Sequence, residues 1–167
     1  MRSYYYSDLA EQRAAVFSDC MRYRYTLKIV WDERLPILNF LMLNPSTADH
    51  LANDPTVKRC CVRANTLGFG SLIVTNIFAY RATDPRDMKS QEDPIGPEND
   101  NYILESAKVA NKIVCGWGSH GCHQNRSREV LRILEGFKLF CLGKTRGGEP
   151  VHPLYHGYDV GFVQFGS

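Results

Sequence analysis

Apolar and polar positions fall into blocks along this chain. Four apolar runs, at 37–43, 72–77, 113–115 and 137–142, each stop at a short cluster of polar or aromatic residues. The clusters are Asn44-Pro45-Ser46-Thr47, then Asn76-Ile77-Phe78-Ala79-Tyr80-Arg81, then Trp117-Gly118-Ser119-His120, and last Gly143-Lys144-Thr145 leading to His152-Pro153. Segments with helical spacing lie between the runs. Alternating strands and helices predict a parallel sheet, because parallel neighbours need a crossover between them. All four clusters then emerge at the carboxyl edge, where open α/β sheets bind ligands.

The rest of the pattern fills in this frame. Residues 4–20 read as an amphipathic opening with a short helix over 8–18. Residues 22–31 alternate, with Tyr23, Tyr25, Leu27, Ile29 and Trp31 on one side, which predicts a half-buried strand. A turn at 32–36 then predicts an antiparallel hairpin between this strand and the first apolar run. Asp54-Pro55 has the form of a cap followed by proline at the first helical position, and Gly68 suits the left-handed end of that helix. Its buried stripe is expected at Val57, Cys61, Ala64 and Leu67. A long polar loop is expected over 81–97. Helices follow from Pro97, with Ile103, Leu104, Ala107 and Ala110 inward, and over 125–135, with Val130, Leu131 and Leu134 inward. An edge strand is expected within 158–165. The resulting fold class is a three-layer α/β/α domain with a short four-stranded parallel sheet and one antiparallel hairpin strand.

Composition changes this picture little. At 167 residues, 44% of them hydrophobic and 23% charged, the chain suits one globular domain spanning 1–167. A formal net charge of +2 neither demands nor excludes nucleic acid. Local basic stretches contain Lys58, Arg59 and Arg63, then Arg126, Arg128 and Arg132, then Lys144 and Arg146. No apolar stretch reaches the roughly 18 residues that span a bilayer, and the first residues lack the apolar core of a signal peptide. Six cysteines without the density of a small secreted scaffold predict reduced thiols and a cytoplasmic protein. Cys115, His120, Cys122 and His123 match no standard metal spacing, so no metal or other cofactor is expected.

Several segments are familiar. Leu-Asn-Pro-Ser-Thr-Ala-Asp at 43–49, Asn-Asp-Pro-Thr-Val at 53–57, Asn-Ile-Phe-Ala-Tyr-Arg-Ala-Thr-Asp-Pro at 76–85, Ile-Gly-Pro-Glu-Asn-Asp at 95–100 and His-Pro-Leu-Tyr at 152–155 resemble the bacterial and phage proteins grouped as domain of unknown function 1643. This resemblance runs over about 22–156. A looser one is to the uracil-DNA glycosylase superfamily, where an Asn-Pro or Asp-Pro motif follows the first parallel strand and a His-Pro or Asn-Pro motif follows the last. Leu43-Asn44-Pro45 and His152-Pro153 sit at those places. Asn76 matches the asparagine that reads the base edge, and Trp117-Gly118 resembles a Trp-Gly of that superfamily. Leu43, Ser46 and Leu154-Tyr155 depart from its pattern.

The second resemblance implies a protein that handles nucleic-acid bases and hydrolyses the N-glycosidic bond of a modified or damaged one. Two alternatives stay open: a non-catalytic nucleic-acid or nucleotide binding module, and an enzyme acting on free nucleosides or nucleotides. Breaking that bond needs a held water and fixed donors for the departing anion. The catalytic candidates are Asn44 to position water, His152 to donate to the base, and Asp49 to supply the basicity an amide lacks. Asp54 is better explained as a helix cap. Base or ligand contacts are expected from Pro45, Ser46, Thr47, Asn76, Phe78, Tyr80 and Trp117, and phosphate contacts from Arg81, Lys144 and Arg146.

Overall fold

The computed structural model describes residues 1–166. In chain order the elements are β1 (Arg2–Ser7), β2 (Gln12–Phe17), β3 (Arg24–Val30), β4 (Ile37–Met42), α1 (Pro55–Thr66), β5 (Ser71–Asn76), α2 (Pro85–Lys89), α3 (Asn99–Val109), β6 (Lys112–Gly116), α4 (Arg126–Ile133), β7 (Leu139–Cys141) and β8 (Val163–Phe165). Short 3-10 turns occupy Ser119–Asn125 and Pro153–Tyr155. The strands form one mixed sheet in the order β1-β2-β3-β5-β4-β6-β7-β8. Within it β5, β4, β6 and β7 run parallel, and the pairs β1–β2, β2–β3, β3–β5 and β7–β8 are antiparallel.

The alternation along β4 separates two cores. Leu38, Phe40 and Met42 pack beneath α1 with Val57, Cys60 and Ala64. Leu41 faces the other way, into a cluster with Ile103 and Ala107 of α3 and Val130 of α4. Helices therefore cover both faces, as the near-continuous apolar character of the parallel strands requires. Asn39 is the polar exception, and its buried amide donates to the Ile73 carbonyl and Thr75 Oγ1, each at 3.0 Å.

Three expectations need correction. The 8–18 segment is not a helix. Asp8 Oδ1 accepts the Ala10 and Glu11 N–H groups at 2.7 and 2.8 Å, forming the turn of the β1–β2 hairpin. Burial then alternates through Arg13, Ala15 and Phe17, a period of two rather than 3.6. Second, β3 does not pair with β4. The turn after β3 wraps around Gly70, whose carbonyl accepts the Trp31 and Asp32 N–H groups at 3.0 Å and whose N–H donates to Pro36. This lets β5 enter between β3 and β4. A Cβ at Gly70 would lie 1.8 Å from the Asp32 carbonyl oxygen, so the close approach depends on glycine. Third, the 81–97 segment is not all loop, because Asp84 and Pro85 start the short helix α2.

Smaller differences concern helix faces. Asp54 caps α1, accepting the Val57 N–H at 2.8 Å. The buried side of α1 carries Val57, Cys60, Arg63 and Ala64, whereas Leu67 is exposed and Cys61 half-buried. Gly68 does adopt a positive φ, of 81°. No helix among the described residues is long and apolar enough to cross a membrane.

Candidate functional site

The connections from β4 and β6 leave in opposite directions. β4 leads through α1 to β5 on one side, and β6 leads through α4 to β7 on the other. Such a reversal opens a crevice beyond the carboxyl ends of the two strands. A pocket of about 680 Å³ occupies that place. Its walls include Leu43, Asn44, Ser46 and Thr47 after β4, and Trp117, Gly118, Ser119 and His120 after β6. The first turn of α1, Asn76 at the end of β5, and the 151–156 segment after β7 close it. The volume falls within the range of about 300–1,000 Å³ typical of small-molecule sites.

Several polar wall residues are held in definite orientations by hydrogen bonds. Asn44 Nδ2 donates to the Ala82 carbonyl at 2.7 Å and to the Pro45 carbonyl at 3.2 Å, which leaves its Oδ1 free to accept. His152 Nδ1 accepts the Leu154 N–H at 3.3 Å. The proton of the neutral ring is therefore on Nε2, which can donate. Burial lowers the His152 pKa below its ordinary value of 6.5, with the nearby Asp54 charge opposing the shift, so the ring is neutral at pH 7. Ser46 and Thr83 share a hydroxyl contact at 3.2 Å on the wall.

Two further residues stand in this pocket, one that the sequence had set aside as a helix cap and one that it did not single out. Asp54 caps α1 through Oδ1, and it also lines the pocket. Arg24 is the other. Because β3 runs antiparallel to β5, its first residue lies at the edge where β5 ends. There Arg24, only 1% exposed, donates from Nη1 to the Ala48 carbonyl at 2.6 Å and from Nη2 to Asn76 Oδ1 at 3.2 Å. Burial lowers its pKa to about 10, so it remains a cation at neutral pH. An arginine at a strand start gives little sequence signal, since the alternation along β3 draws attention to its neighbours.

The other candidates are placed differently. Asp49 sits outside the pocket, with Oδ1 accepting the Leu51 and Ala52 N–H groups at 2.8 and 3.0 Å in a local turn. Pro45 is buried, and its carbonyl accepts the Ala82 N–H at 2.9 Å. Phe78 is fully buried in the α3–α4 core and faces no ligand space. The indole of Trp117 is also a core group. It stands edge-on to Phe165, donates to Glu149, and leaves no room for a Cβ at Gly121, which would lie 2.1 Å from the ring. Tyr80 and Arg81 line an adjoining groove of about 500 Å³ that shares Ser46, Thr47, Ala82 and Thr83 with the pocket. Lys144 and Arg146 are exposed and line neither space, and the Lys144 ammonium lies 5.6 Å from the Phe165 ring centroid.

Much of the remaining basic charge is structural. Arg59 and Arg63 fasten the 156–160 segment to α1. Arg126 is buried beside Asp100 and donates to the Ile77 carbonyl at 2.7 Å. The cysteine–histidine cluster is dispersed, with Cys115 in the core, Cys122 donating to the Ser119 carbonyl and His120 against Lys89. Among the described residues no three His, Cys, Asp or Glu side chains converge to hold a metal.

Fold and pocket together define an α/β protein with a pocket at the switch point of a mixed sheet. Residues 24–154 match the family described as protein of unknown function (DUF1643), and the chain belongs to that family. No curated protein matches the chain, and no solved structure does.

Proposed function

We propose that this pocket receives the base and sugar of a nucleotide unit in nucleic acid and hydrolyses the N-glycosidic bond of a modified or damaged base, on a sheet of the uracil-DNA glycosylase kind. The observation that carries this reading is the convergence of Asn44, Asp54 and His152 on one pocket. In the proposed step a water attacks the anomeric carbon. Asn44 Oδ1 accepts one of its hydrogens, and the Asp54 oxygen not engaged in capping takes the proton released. The carbon–nitrogen electron pair leaves with the base, and His152 Nε2–H donates to the oxygen where the charge gathers. The departing base anion then takes a proton from solvent. A duplex target would have to be flipped into the pocket.

The test is release of free base from a panel of modified DNA and RNA oligonucleotides. The expected result is base release that falls by about 100-fold or more in Asn44→Ala and His152→Ala, the scale of losing a fixed transition-state donor. Absence of product from every substrate, or release by both variants at the wild-type rate, would contradict this reading.

A second reading, action on a free nucleotide, is favoured by the buried cation Arg24 beside a pocket of mononucleotide scale. It predicts binding that does not change with oligonucleotide length. Binding with a salt slope but no product would instead mark a non-catalytic nucleic-acid module.

A further inference from the structure

A guanidinium carries five N–H donors and a charge that is costly to bury without a counter-ion. Arg24 meets two neutral oxygens, and its buried Nε has no partner. Among the described residues no carboxylate lies within ion-pair distance of it. Asp54 and Asp49 act on it only through space. Asn76 Oδ1 accepts from Arg24, and its Nδ2 donor makes no hydrogen bond to the described residues. The two side chains therefore form a buried wall of donors with net positive charge, in a pocket that also contains the amino end of α1.

A neutral amide edge, which presents a donor beside an acceptor, leaves such a wall partly unpaired. A group made only of acceptors and carrying negative charge satisfies it. We propose that Arg24 and Asn76 are the oxyanion-binding wall of the pocket, and that the ligand reaches them with a phosphate or a carboxylate. This assignment rests on the reading of the pocket as a nucleotide site, and deepens it by naming the group that is recognised. It also changes the role of Asn76, from reading a pyrimidine edge to aligning the arginine.

Calorimetric titration with uridine 5′-monophosphate, orotate and uridine separates the cases. The two anions bring a phosphate and a carboxylate respectively, and uridine brings neither. The expected result is that at least one anion binds tenfold or more tighter than uridine, and which anion wins identifies the oxyanion. Arg24→Gln removes the charge. Asn76→Asp keeps Arg24 in place but neutralises it with a carboxylate, so it tests the same point in a variant whose fold is retained, as checked by its melting temperature. Both substitutions are expected to bring the anion's affinity down to that of uridine. Equal binding of all three ligands by the wild type, or an unchanged anion affinity in folded Asn76→Asp, overturns the assignment. If uridine binds, loses affinity in His152→Ala, and gains nothing from either anion, the nucleotide pocket stands and the oxyanion wall falls. If none of the three binds, both fall.

Discussion

Arg24 and Arg63 are both buried, at 1% and 2% exposure, yet their surroundings differ in kind. Arg63, on α1, meets four carbonyls of the 156–160 segment. Nη1 reaches Val160 at 2.7 Å and Tyr158 at 3.5 Å, and Nη2 reaches Gly157 at 2.6 Å and His156 at 3.3 Å. The Tyr158 ring lies against the same guanidinium, 5.7 Å to its centroid. Arg24 meets two acceptors and borders an open pocket. One arginine is consumed in holding the fold, and the other keeps donors in reserve. Buried charge by itself therefore does not mark a site; what marks it is charge left uncompensated next to space.

The contrast can be broken first at Arg63. Arg63→Met is expected to strand buried carbonyls and cost about 3 kcal/mol, read as a lower midpoint in urea. A change near zero would show that the 156–160 segment is not held by this residue. Arg24→Gln should cost less in stability, about 1 kcal/mol, since it loses two hydrogen bonds but relieves a desolvated charge. If the order of the two effects were reversed, Arg24 would be the structural residue and the contrast would be wrong.

A smaller effect sharpens the pocket side. Burial lowers the pKa of both His152 and His120 below 6.5, with the Lys89 charge adding to the shift at His120. The folded state then binds fewer protons than the unfolded chain. Their contribution is fully present above about pH 6.5 and is lost as the pH falls through the folded values. His152→Gln should flatten part of that decline, and an unchanged slope would place the ring in water. Smallest is a control outside both regions. Hydrogen bonding from Ser18, with Arg22 adding to it, lowers the exposed Cys20 thiol to about 7, while burial raises Cys60 and Cys115. Iodoacetamide should label Cys20 with half-maximal rate near pH 7 and spare the other two. Labelling of Cys60 in folded protein would mean that the α1 face opens.

What could be read from the sequence followed signal strength. The four apolar runs became the parallel strands, and the Asp54-Pro55 start fixed α1, because each carries a strong local cue. The carboxyl-edge clusters could be placed for the same reason, since a parallel sheet leaves its strand ends on one side. Pairing partners could not. Whether β3 lies beside β4 or β5 depends on a chain crossing at Gly70 that has no local signature. The N-terminal hairpin was obscured because Asp8 and the following residues suit a helix start as well as a turn. Within the clusters, sequence cannot say which way a side chain points. Phe78 and the Trp117 indole turned into the core, while Asp54 proved to be both cap and wall. Arg24 became visible only when two antiparallel strands were set side by side.

Amide chemical-shift mapping during titration with uridine 5′-monophosphate tests the central claim, that this one pocket is the site, most directly. The account predicts saturating shifts that cluster at Arg24, Asn44, Asn76, Gly118 and His152, with the β1–β2 hairpin unmoved. Shifts confined to the exposed loops or that hairpin, or none at millimolar ligand, would contradict it.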